Sequence, residues 1–96
     1  MKQLTIYGTE ELRGQVNQVL HRVALDDYIH MPGLYGNKLK ARGSFEKDLT
    51  YPASAFVIYA SDDKVTQIVA ELKEYANQCS IKPCLRMAVS VPEEVY

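Results

Sequence analysis

The chain lacks an excess of charge of either sign: 11 basic side chains face 12 acidic ones, for a net charge of -1. That balance excludes general binding to DNA, RNA or an anionic membrane. No apolar run approaches the roughly 18 residues needed to span a bilayer, so direct membrane insertion is not expected. There is no internal repeat, linker or low-complexity stretch, and 96 residues make one domain over 1–96. Met1-Lys2-Gln3-Leu4-Thr5 enters a strand-like pattern at once, so no signal peptide is expected and the cytoplasm is the expected location. Cysteine is scarce. Cys79 and Cys84 lack the spacing and the second pair of a familiar metal motif, and they read as two reduced thiols. A disulfide across so short a turn is geometrically allowed but is not fixed by the sequence.

What is present alternates in period. Leu4 and Ile6 oppose Thr5 and Tyr7, the mark of a strand. Thr9 is placed to cap a helix with Glu10 and Glu11 in its first turn, and Leu12, Val16, Val19, Leu20 and Val23 form its apolar stripe to about Ala24. Tyr28–Met31 reads as a short strand stopped by Pro32-Gly33. Ala53–Ala60 is apolar on both faces, as in a covered strand. Ser61 caps a second helix, with Val65, Ile68, Val69, Leu72, Tyr75, Ala76 and Cys79 as its stripe, and Leu85–Val91 is the last strand. The order β-α-β-β-α-β predicts an α+β ferredoxin-like fold: a four-stranded antiparallel sheet with both helices on one face.

Two consequences follow from that layout. One of the pairs Phe56/Ile58 and Val57/Tyr59 must lie on the uncovered face beside Thr5 and Tyr7, and an apolar patch there predicts a homo-oligomer. The polar stretch Tyr28–Pro52 is also longer than the roughly 12–15 residues that compact domains keep without regular structure, unless the loop binds something.

Val89-Ser90-Val91-Pro92-Glu93-Glu94-Val95 resembles the last strand and the Pro-Val-Glu-Glu ending of PII signalling proteins. Gly33-Leu34-Tyr35-Gly36-Asn37-Lys38 is similar to the glycine-containing start of their T-loop. Through element order and the long loop the resemblance covers nearly the whole chain. It looks nearest to the divergent PII-like group that includes the cyanobacterial SbtB proteins, within the broader set that contains CutA proteins. It implies a T-loop-like segment at about 36–52 and a non-enzymatic sensor that forms a homotrimer. It further implies an adenine nucleotide such as AMP or ADP in the subunit clefts, and a protein target (a transporter or an enzyme) docked through the loop. Carried over, Gly33 and Gly36 bring backbone N–H groups to a phosphate, Lys38 adds positive charge, and Arg86 aligns with a phosphate-contacting lysine. Lys40, Arg42 and Lys47 form the partner-docking loop. Independently, glycines permit an anion-binding concavity and a guanidinium suits phosphate. Pro32-Gly33 and Gly36-Asn37 serve equally as turn signals.

The chain departs from the pattern between the second helix and the last strand. Residues 77–85 contain no glycine, and Pro83 removes an N–H donor. A monophosphate, a diphosphate or no nucleotide therefore fits better than a triphosphate. Neither Tyr35 nor Tyr51 matches the modified tyrosine of classical PII proteins.

The alternative function is a CutA-like or metal-tolerance-associated metal binder, with His30, Cys79 and Cys84 as the candidate ligands. No nucleophile with an identifiable base and no acid pair suited to catalysis is present, so an enzyme is not expected. Glu46 and Asp48 offset the basic residues of the loop, which argues against nucleic acid.

Overall fold

The computed structural model describes residues 1–39, 43, 45, 47–80 and 83–96. Strand β1 (Lys2–Thr9) buries Leu4 and Ile6, as its alternation requires. Thr9 does not cap the helix: it stays extended in the strand, makes no side-chain capping bond, and donates its N–H to the Cys84 carbonyl. A 3-10 turn (Glu10–Leu12) follows instead, and helix α1 begins only at Arg13, running to Arg22. His21 and Arg22 occupy its last turn, where positive charge suits the helix dipole. Ala24 then takes a left-handed conformation at φ 59°, and its carbonyl accepts a hydrogen bond from Lys64 Nζ at 3.0 Å.

Strand β2 (Ile29–Lys38) is much longer than the sequence predicts. Pro32-Gly33 bends it without ending it. Met31 pairs with Ala55 and Leu34 with Ala53, so β2 carries one extra residue across the Pro32-Gly33 step. Gly33 absorbs the bulge at φ 73°. The proline is tolerated because β2 is an edge strand and needs no donor on its outer side. Beyond the bulge β2 stays paired to β3 (Leu49–Ala60) as far as Lys38–Leu49. The long polar stretch is thus largely a β-hairpin, with residues 39–48 between its strands.

Ser61 caps α2 (Asp62–Leu72) as expected, its side chain accepting from the Lys64 N–H at 3.4 Å. A 3-10 turn (Lys73–Tyr75) leads toward β4 (Leu85–Ser90). The sheet order is β2-β3-β1-β4, antiparallel throughout. This is the α+β ferredoxin-like arrangement read from the sequence.

Leu4, Ile6, Phe56 and Ile58 pack under Leu12, Val16, Val19, Leu20, Val65, Ile68 and Leu72 in one core. Each such large side chain contributes roughly 1.5–3 kcal/mol by leaving water. The Arg22–Glu71 ion pair at 3.0 Å ties the two helices together at the surface. Phe56 and Ile58 take the helix side, so Val57 and Tyr59 occupy the open face. Ile29 and Met31 stand on the same face, opposite Val57 and Ala55, and are exposed. The bulge keeps Leu34 with them, because in an unbulged strand a residue three positions after Met31 would face the other side.

Candidate ligand-binding cleft

A cleft of about 160 Å³ opens where the end of β1, the middle of the hairpin and the start of β4 meet. The sheet register explains its membership. Tyr7 pairs with Arg86 on β4 and Ala55 on β3, and Thr9 pairs with Ala53, which sets these residues on the open face. The hairpin adds Tyr35, Gly36 and Tyr51, and Pro83 and Cys84 close the far wall.

Of the candidate anion-binding residues, Gly36 and Arg86 line this cleft, whereas Gly33 and Lys38 do not. Gly33 serves the bulge, with open space where a Cβ would stand. Lys38 ends β2 opposite Leu49 and is exposed. At Gly36 a Cβ would overlap the ring of Tyr51, its cross-strand partner. Of the candidate docking residues, Lys47 is exposed, and Lys40 and Arg42 lie outside the described residues.

The sequence reading passed over Thr9 and Tyr51 as cleft residues. Thr9 is 5% exposed, and its Oγ1 is buried without a hydrogen-bond partner among the described residues. Tyr51 is half-buried against Gly36. Only the pairing of a glycine with a tyrosine across a hairpin could have signalled it, and that requires the register.

Arg86 is the one ionic group among the described lining residues, and no carboxylate stands beside it. A guanidinium, three tyrosines and buried hydroxyls without a competing acid suit an anion that also carries an apolar or aromatic part. The volume falls below the roughly 300–1,000 Å³ of sites that enclose a small ligand. Outside the cleft, the hydrogen bond that the Tyr96 hydroxyl donates to Glu94 holds its phenol above the usual range.

Cys79 and Cys84 form a disulfide, which corrects the reading of two reduced thiols. The helix end and the strand start bring their Cα atoms to 5.7 Å, within bridging range. The bridge removes both thiolates from the alternative ligand set. His30 stacks on Phe56 at 4.4 Å, and its Nε2 is buried without a partner among the described residues. No group of three or more His, Cys, Asp or Glu side chains is placed to hold a metal among the described residues. Likewise, no helix among them is long and apolar enough to cross a membrane.

No family model and no curated sequence matches the chain. Solved structures do. CPII of Thiomonas intermedia K12, a nitrogen regulatory PII-like protein bound to ADP, AMP and bicarbonate, superposes with a TM-score of 0.68 at 15% identity. That alignment covers 98% of this chain and 94% of CPII. The GlnK–ATP complex of B. subtilis gives a TM-score of 0.72 at 15% identity, over 93% of this chain and 78% of GlnK. At such identity the likeness is one of fold. The chain has the fold of the PII-like proteins, in divergent form.

Proposed function

We propose that this protein is a non-enzymatic PII-like regulator that binds an adenine nucleotide, AMP or ADP, and acts on a partner protein through its hairpin loop. The observation that carries this reading is the acid-free cleft holding Arg86 and Gly36 at the base of the hairpin. An anion bound there touches the strands that support residues 39–48, so occupancy and loop conformation are linked by direct contact. Lys40, Arg42 and Lys47 are the basic side chains of that loop that would meet carboxylates on the target. The ADP and AMP held by CPII on the same fold support the choice of ligand.

The cleft of one chain takes only part of a nucleotide. A second subunit completes it, and the exposed open-face residues Ile29, Met31 and Tyr59 supply the apolar surface for a homotrimer. Pro83 and the bridged Cys79–Cys84 segment stand where classical PII proteins wrap a triphosphate with glycines, which favours AMP and ADP over ATP. Lys38, at the hairpin end of β2, adds long-range attraction for the phosphate, and Gly33 acts through the bulge. The protein works in the cytoplasm, where these nucleotides are found.

Calorimetry with AMP, ADP and ATP, paired with native mass spectrometry, tests the reading. A trimer that binds AMP or ADP more tightly than ATP is expected. A monomer at micromolar concentration with no response to any of the three removes it.

A further inference from the structure

We infer that Tyr51 recognises the planar base of the ligand, with Gly36 as the seat that holds its ring and the Thr9 hydroxyl as a polar partner beneath. This rests on the nucleotide reading above and assigns the other end of the same site.

Gly36 and Tyr51 face each other across the hairpin, and the missing Cβ lets the tyrosine ring lie over the β2 backbone. A tyrosine packed in this way is constrained on its strand side while still lining the cleft. A fixed aromatic surface on a concave wall is the complement of a heterocycle's π face. Arg86 lies on β4, separated from β3 by β1, so the backbones that carry the two groups stand at least two strand spacings apart, about 10 Å. A ligand lying between them would present an aromatic group toward the hairpin and an anion toward β4. A base joined through ribose to phosphate has that form. Thr9 also lines the cleft, and its Oγ1, buried and without a hydrogen-bond partner among the described residues, is the polar atom that a ligand group reaching the cleft floor would satisfy.

The test compares AMP with ribose 5-phosphate, which keeps the sugar and phosphate but has no base. Calorimetry on the wild-type protein is expected to show AMP bound roughly tenfold or more tightly than ribose 5-phosphate. Tyr51→Phe keeps that preference because it keeps the ring. Tyr51→Leu, which retains bulk and folding, lowers AMP affinity roughly 5- to 150-fold and leaves ribose 5-phosphate unchanged. Gly36→Ala is expected to act like Tyr51→Leu, because its methyl group displaces the ring. Equal losses for both ligands in Tyr51→Leu, or no loss for AMP, overturn the assignment of Tyr51 while leaving the nucleotide reading in place. A wild-type protein that binds neither AMP nor ADP overturns both.

Discussion

Thr9 donates its backbone N–H to the carbonyl of Cys84 at 3.0 Å, joining the end of β1 to the segment that leads into β4. Cys84 is held twice more, by the bridge to Cys79 and by its own N–H, which donates to the Ala76 carbonyl at 2.9 Å. The disulfide is therefore attached directly to the wall of the cleft. Cross-linking two cysteines five positions apart restricts the unfolded chain by about 2 kcal/mol. For a domain of this size that corresponds to a fall in Tm of roughly 10 °C on reduction. Thermal melts with and without dithiothreitol measure it. The Cys79→Ser/Cys84→Ser protein should match the reduced wild type and ignore the reductant. Identical wild-type melts in both conditions would remove the disulfide from any account of stability.

The second prediction concerns the same threonine's side chain. A buried hydroxyl without a partner costs about 1–3 kcal/mol of desolvation, and a methyl group in its place does not. Thr9→Val, which keeps the β-branched shape, should therefore raise Tm by a few degrees. It should also weaken AMP binding several-fold, because the ligand loses its partner. Thr9→Ser should keep the affinity. Opposite movements of stability and affinity at one position are the signature of a polar group retained for a ligand. If Thr9→Val lowers stability, the hydroxyl is instead satisfied within the protein.

Most of the fold was legible because its signals are local. The alternation of Leu4 and Ile6, the Ser61 cap and the stripe from Val65 to Leu72 each occupy a few neighbouring residues. What could not be read depended on distant partners. Pro32-Gly33 looks like a stop, and whether the chain turns or bulges there is decided by Ala53 and Ala55 some twenty residues later. Thr9 looks like a helix cap until the Cys84 carbonyl claims its N–H for the sheet. The cleft was half visible. Arg86 and Gly36, named from the resemblance, line the cleft, but the packing of Tyr51 on Gly36 cannot be seen without the register.

The bulge makes a further claim about Gly33. At φ 73° a side chain strains the backbone, although nothing nearby would meet a Cβ. Gly33→Ala should thus cost roughly 1–2 kcal/mol through conformation alone, with AMP affinity unchanged because Gly33 lies outside the cleft. Deleting Gly33 is a harsher test. Without Gly33, Leu34 stands two positions after Met31, so it keeps its place opposite Ala53 on the open face and the register beyond is unchanged. Oligomerisation and ligand binding should persist, at a further cost in stability where the strand must straighten past Pro32. Chemical denaturation combined with calorimetry separates the two variants. A marked loss of affinity in Gly33→Ala would return this glycine to the binding site.

The open face supports the last prediction. Ile29 is 59% exposed in the isolated chain and pairs with Val57, so a charge at this position meets water in a monomer and apolar surface in a trimer. Exposed substitutions of this kind change folding stability by less than about 0.5 kcal/mol. A carboxylate buried in an apolar interface without a partner costs several kcal/mol. Ile29→Glu should therefore give a folded monomer by light scattering at concentrations where the proposed trimer is expected of the wild type. Because the cleft of one chain is too small to enclose a nucleotide, the same variant should lose AMP affinity, although the substituted position is not among the residues that line the cleft. Monomers that still bind AMP at full strength would show that one chain builds the whole site. In that case the open face would serve a different partner.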